Sequence, residues 1–304
     1  MLFGDSLQDE TYLRALGTHE RHAKHFGYPM YILNQELAKP PVERLKWLMW
    51  TDADTVVLNP SFELEAFLPP SMMQEVELIC NKDQNGLNNG IFFIKVSQGM
   101  AAYMAQVAAY PHFHPEADLS WPEQQAMQYV LNDTERYHEK VVYMPQHLFN
   151  AYGGAKPGDY LIHFAGREEA RVPEMKDWLS KVEGEQWIDW DRNPWTIESM
   201  ERIMEIRRFW SVLHSFRKIA TSLNDDFILR HNLTTFELEN SISWYKSVTY
   251  FDSDEEEKMM RALIRLEEEV SDYLDVSLPV LLNYNERWRY RGTNGSIQLD
   301  AFDV

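Results

Sequence analysis

The run Trp50-Thr51-Asp52-Ala53-Asp54-Thr55 follows the apolar stretch 47–49 and precedes Val56-Val57-Leu58, so two carboxylates stand just past a strand. Side chains alternate between faces along an extended segment, and Asp52 and Asp54 are therefore expected to project together while Ala53 turns away. Paired oxygen ligands suit a hard divalent ion, Mn²⁺ or Mg²⁺, which leaves part of its shell to water and phosphate. An Asp-x-Asp triplet arises easily by chance in an acidic chain; its place behind a buried-looking strand singles this one out. Three other groups carry possible chemistry. The polar stretch 81–90 is expected to be a loop, in which Asn88 and Asn89 offer donors and acceptors for a polyhydroxy ligand such as a sugar. Trp121-Pro122-Glu123-Gln124 reads as a helix start, with Pro122 pre-set for the first turn and Glu123 near the positive end. His163, at a strand end before Ala165-Gly166, brings an imidazole suited to first-row divalent ions. Each group also has a plainer reading, as a turn, a helix cap or a structural histidine.

The chain as a whole limits what such a site holds. Its 304 residues, 44% of them hydrophobic and 10 of them Trp, are enough for a full globular core. A net charge of −19 argues against nucleic-acid binding, which needs clustered Lys and Arg. The same charge repels an anionic nucleotide, so a diphosphate ligand requires a local cation, and a bound divalent ion is the largest available. Cys80 is the single cysteine, which excludes an internal disulfide. Sequons at Asn132, Asn232 and Asn294 would accept N-glycans in a secretory setting. No signal peptide and no apolar run of about 20 residues is found, so any membrane anchor is expected outside this chain.

Elements that position these residues follow from periodicity. Residues 1–6 read as the tail of a first strand, 29–33 as a second, 47–50 as a third, 76–80 as a fourth and 91–96 as a fifth, with two more at 141–144 and 160–164. A helix from Asp9 to Gly27 is expected to bury Tyr12, Leu16, His19, Ala23 and Phe26, leaving His19, His22 and His25 as surface or packing residues. Alternating strands and helices predict an α/β domain whose mainly parallel sheet presents ligands at strand C-termini. Beyond Trp178 the pattern turns helical: Pro194 opens a stripe of Ile197, Met200, Met204, Phe209, Leu213 and Phe216, and a second stripe runs from Met259 to Tyr273. The expected division is 1–185 for the α/β domain and 186–304 for a mainly helical extension.

In order and spacing, Trp-Thr-Asp-Ala-Asp-Thr at 50–55, Gly-Leu-Asn-Asn-Gly-Ile-Phe-Phe at 86–93, Glu-Gln-Gln-Ala-Met at 123–127 and His-Phe-Ala-Gly at 163–166 resemble glycosyltransferase family 34, the Golgi α-galactosyl- and α-mannosyltransferases related to xyloglucan xylosyltransferases. The resemblance covers roughly the first 180 residues. It implies a GT-A type, Rossmann-like nucleotide-sugar fold, Mn²⁺ (or Mg²⁺) held by Asp52, Asp54 and His163, and donor contacts from Asn88, Asn89 and Gly166. It further implies a retaining transfer of galactose or mannose from a UDP- or GDP-hexose to a glycan or glycoprotein acceptor, in the Golgi lumen or at its membrane. Glu123 and Gln124 would then line the donor sugar and stabilise its oxocarbenium-like centre, neither acting as a nucleophile. The family's Trp-Asn-Lys element is missing from the short 29–46 segment, where Lys39 is the nearest cation, and Glu123 stands where the family often has Asp. The alternative is a catalytically impaired subunit or truncated isoform that works through other glycosyltransferase subunits. A metal-dependent phosphohydrolase fits the aspartates but leaves the Asn-rich stretch without a task.

Overall fold

The computed structural model describes residues 10–28, 40–43, 45–60, 62–155, 158–184, 196–222, 261, 292–293 and 296–297. The expected strands at 1–6 and 29–33, the second helical stripe and Lys39 lie outside the described residues. The chain divides into two compact units, one of Met1–Leu68 with Glu75–Arg208, the other of Pro69–Gln74 with Phe209–Val304.

The first unit is mixed α/β. Its four-stranded sheet has the order β1 (Trp47–Thr51), β4 (Gly86–Lys95), β3 (Leu78–Asp83), β5 (Val141–Tyr143). β1 and β3 both run antiparallel to β4, and β3 pairs with β5 in parallel. A second pair joins β2 (Thr55–Val57) and β6 (Leu161–His163) antiparallel, with Thr55 opposite His163. Among the described strands the expected mainly parallel sheet is therefore corrected to a mainly antiparallel one. The reason is local. The 81–90 stretch is no loop: β3 continues to Asp83, Gln84 and Asn85 make the turn, and β4 starts at Gly86 with φ +99°. A tight hairpin with glycine at the positive-φ position forces its two strands antiparallel, and Asn88 and Asn89 become strand residues.

Two helices cover one face of the sheet. α2 (Gln98–Phe113) is capped by Ser97, whose side chain accepts from the Met100 amide, and α3 (Pro122–Asn132) carries proline in its first turn. Their apolar sides, Met100, Tyr103, Val107, Ala126, Met127, Val130 and Leu131, bury against Leu78, Cys80, Leu87, Phe92, Val141 and Tyr143. A second core joins β2 and β6 to α1 (Glu10–Phe26) and α5 (Arg171–Val182) through Ala15, Val56, Ile162, Met175, Leu179 and Val182. Burying Met175, Leu179 and Val182 contributes about 1.5–3 kcal/mol each. That outweighs the half-exposed Arg14–Glu183 pair bridging the same helices, worth about 0–1 kcal/mol.

The buried stripe of α1 is Thr11, Ala15, Thr18 and His22, one position away from the expected Tyr12, Leu16, His19 and Ala23. Small and hydrogen-bonding side chains win this face because the helix lies close to β2: the Val57 amide donates to Thr18 Oγ1 at 3.0 Å, and His22 Nε2 meets the Phe62 carbonyl at 2.6 Å. Gly27, at φ +73°, ends the helix as expected. In the last described helix, α6 (Thr196–Ser222), Phe209 and Leu213 are buried as the apolar stripe requires, whereas Met204 is 61% exposed. No described helix is long and apolar enough to cross a membrane.

Candidate functional site

Asp52 and Asp54 do not sit in an extended segment. β1 ends at Thr51 and β2 begins at Thr55, so the two carboxylates lie on the turn between them. The turn is fixed at both ends: the Asp52 amide donates to the Gly90 carbonyl at 2.7 Å, Thr55 Oγ1 donates to the Asp52 carbonyl at 2.7 Å, and the Phe164 amide donates to the Asp54 carbonyl at 3.0 Å. The last contact joins the turn to the end of β6, which delivers His163. Its Nε2 is 3.4 Å from Asp54 Oδ1 and 3.9 Å from Asp52 Oδ2. One ligand atom from each of the three residues lies within 4.8 Å of the others.

The imidazole is oriented from its far side. Asn150, fully buried, directs its amide nitrogen at Asn81 Oδ1 (3.1 Å) and Asn88 Oδ1 (2.9 Å), which leaves its own Oδ1 facing His163 Nδ1 at 2.9 Å. Nδ1 therefore carries a hydrogen, and Nε2 faces the two carboxylates. Beneath the ring is Gly90, where a Cβ would come within 2.2 Å of His163 Cε1. Two carboxylate oxygens with one imidazole nitrogen are a ligand set that could hold a borderline-hard ion such as Mn²⁺.

Electrostatics separate the aspartates. Burial pushes the Asp52 carboxyl above the usual range, with His163 opposing and Asp54 reinforcing the shift. Burial acts on Asp54 as well, but the hydrogen bond and charge of His163 and the charge of Arg171 outweigh it, and its carboxyl lies below the usual range. Arg171 opens α5 and brings Nε to 3.1 Å from Asp54 Oδ2, a charge contact without an aligned hydrogen bond. Nothing in the spacing of the sequence marks Arg171. It reaches the site because the chain reverses after β6 through Gly166 (φ +66°) and Glu168 (φ 44°).

These groups share one cleft of about 490 Å³. It is lined by Asp52, Asp54, Asn88, Asn89, Trp121, Glu123, Gln124, His163 and Gly166, and also by Asp83, Tyr152 and Arg171, which the sequence does not single out. Gln124 Oε1 accepts from the Asn89 amide at 3.4 Å, so the start of α3 is tied to β4. Trp121, at the lip, is 53% exposed. Among the described residues lining the cleft, the lysine or arginine charge comes from Arg171.

Acidic side chains and an imidazole at a strand-connecting turn thus share one cleft with amide side chains, and the three could hold a divalent ion. Residues 71–172 match the galactosyl transferase GMA12/MNN10 family. The matched stretch contains Asn88, Asn89, Glu123, Gln124, His163, Gly166 and Arg171, whereas Asp52 and Asp54 precede it. Among curated proteins, the chain is 25% identical over 159 residues to the probable alpha-1,2-galactosyltransferase gmh1 of Schizosaccharomyces pombe (strain 972 / ATCC 24843), a match that covers 40% of this chain and 48% of that protein. The chain thus spans about half the length of the curated relative it matches. No solved structure matches it.

Proposed function

We propose that the chain is a retaining glycosyltransferase that moves a hexose from a nucleotide-sugar donor to a glycan or glycoprotein acceptor. The observation that carries this reading is the convergence of Asp52, Asp54 and His163 in a cleft that Asn89, Glu123 and Gln124 also line. Galactose is the favoured sugar, since the curated relative is described as a probable alpha-1,2-galactosyltransferase; mannose is the competitor that the family resemblance brings.

Asp52, Asp54 and His163 would hold Mn²⁺, or Mg²⁺ in its place, on the donor diphosphate. When bound, such an ion supplies positive charge to the phosphate oxygen on which negative charge develops. Arg171 adds a second positive charge on the same wall, which matters in a chain of net charge −19. Gly166 leaves room beside it: no atom lies within 4 Å of where its Cβ would be, so backbone there is open to a phosphate. Asn89 and the start of α3 would meet the hexose hydroxyls. For retention without a covalent intermediate, the acceptor hydroxyl attacks the anomeric carbon on the face the phosphate leaves. The carbon–oxygen bond to phosphate breaks as the new one forms, and the hydroxyl proton passes to the departing phosphate oxygen. Glu123 and the carbonyl of Gln124 stabilise the positive charge that builds on the sugar ring. The candidate catalytic residues fall within 1–185, the proposed glycosyltransferase domain, with 186–304 as a mainly helical extension. A Golgi setting, lumenal or membrane-bound, accords with such a reaction.

The impaired-subunit alternative would be favoured by a scattered site, and the described charged and amide groups named here line one cleft. The test is a screen of UDP- and GDP-hexoses with Mn²⁺, read by thermal shift and donor hydrolysis. Stabilisation and slow hydrolysis of one donor, both lost on adding EDTA, are expected. Equal behaviour with and without metal, or no response to any donor, would overturn the proposal.

A further inference from the structure

Asn88 was expected to touch the donor, yet its side chain has no hydrogen-bonding capacity left for one. Its Nδ2 donates to Asp83 Oδ2 (3.1 Å) and to Tyr152 Oη (2.8 Å). Its Oδ1 accepts from Asn150 Nδ2 (2.9 Å) and from the Gly90 amide (3.0 Å). Two donors and two acceptor positions are all that a primary amide offers. The same residue is 5% exposed. Tyr152 closes the loop by donating to Asp83 Oδ2 at 2.6 Å, and the second oxygen of Asp83 accepts from the Asn85 amide at 2.7 Å. Burial, then the hydrogen bond to Asp83, push the tyrosine hydroxyl far above its ordinary pKa, so it stays a donor.

The direction of every bond in this chain follows from its anchor. A carboxylate accepts only, so Asp83 compels Asn88 to present its nitrogen there and its oxygen to Asn150. Asn150 must then present its nitrogen to Asn88 and its oxygen to His163 Nδ1. We infer that Asn88 and Asn150 are positioning residues: polarised by Asp83 and Tyr152 on the β3–β4 hairpin, they lock the His163 tautomer and aim Nε2 at the point shared with Asp52 and Asp54. The inference rests on the metal-site reading for its purpose, but the tautomer it assigns is a property of the metal-free protein. It separates the cleft wall into residues that meet the ligand, such as Asn89 and Gln124, and residues that make the ligand site what it is.

The experiment uses the full chain with ¹⁵N-labelled histidine and three variants, Asn150→Leu, Asn150→Asp and Tyr152→Phe. Long-range ¹⁵N–¹H spectra report which ring nitrogen of His163 is protonated, and titration with Mn²⁺ alone reports affinity. Wild type is expected to show the Nδ1–H form. Asn150→Leu, which removes the acceptor, is expected to mix the tautomers and to weaken Mn²⁺ binding by about 10–100-fold, the usual cost of losing a partner behind a metal ligand. Asn150→Asp keeps an acceptor toward the ring but sets its second oxygen against Asn88 Oδ1, an acceptor, while a flip of Asn81 would offer it that residue's unpartnered Nδ2; it is expected to retain the Nδ1–H form and to lose less affinity than Asn150→Leu. Tyr152→Phe reads the chain from its far end and serves should the leucine variant not fold, with a smaller loss in the same direction. An Nε2–H form in wild type, unchanged spectra in Asn150→Leu, equal loss in both Asn150 variants, or wild-type affinity in Tyr152→Phe would each overturn the inference. Absence of Mn²⁺ binding in wild type with the Nδ1–H form intact would instead sink the metal reading and leave the tautomer lock standing.

Discussion

At the scale of single residues the site is built on close approach. His163 lies against Gly90 so tightly that a methyl group there would meet the ring at 2.2 Å. Gly90→Ala is therefore expected to tilt the imidazole away from Asp54 and to lower Mn²⁺ affinity at least tenfold, by isothermal titration, while the thermal midpoint falls by only a few degrees; unchanged affinity would show that the ring is not held there. Arg171 makes the opposite prediction. Its guanidinium neutralises Asp54 at 3.1 Å and so competes with any metal for that carboxylate. Arg171→Gln is expected to tighten binding of Mn²⁺ alone and to weaken binding of UDP or GDP in the presence of Mn²⁺, a reversal of sign that calorimetry on both ligands would expose. Loss of both affinities together would mean that Arg171 serves only to hold the turn in shape.

At the scale of elements, much was legible. Proline at the start of α3, glycine at the end of α1 and the apolar strands at 47–51, 141–143 and 161–163 all carry strong local signals. What escaped the sequence has physical causes. The stretch 81–90 reads as a loop because Asn, Gly and Asp dominate it, but these residues are needed in a strand whose face is a polar network rather than a hydrophobic layer. The buried stripe of α1 was misplaced by one residue because Thr18 and His22 satisfy backbone groups of other segments, a pairing that hydrophobic periodicity does not see. Asp83, Asn150, Tyr152 and Arg171 were missed since each works through a partner remote in sequence. Because β6 carries His163 and packs with α5, that helix is a structural support for the site. Leu179→Ala, at a fully buried position, is expected to destabilise the protein by about 2–5 kcal/mol in urea unfolding. A cost below about 1 kcal/mol would mean that α5 is not part of that core.

At the scale of the whole molecule, pH acts on stability and on the site separately. Burial holds His19 down to about 4 and lowers His22 as well, with the Thr55 and Phe62 carbonyls opposing the shift. A histidine whose folded pKa lies below its unfolded value contributes stability that is complete above about pH 6.5 and is lost as pH falls toward 4. Chemical unfolding is thus expected to show a loss of about 1–3 kcal/mol between pH 7 and pH 4.5 that His19→Gln reduces; a flat profile would contradict this. The strong negative charge of the chain makes a metal-free diphosphate complex unfavourable, so the proposed donor binding depends on one cation. Its most direct test is electron paramagnetic resonance of Mn²⁺ bound to the full chain. One site with hyperfine coupling to a single imidazole nitrogen, lost in His163→Gln and with the ion itself released in Asp54→Ala, is the predicted result; a bound ion without nitrogen coupling, or retention of the ion in Asp54→Ala, would contradict it.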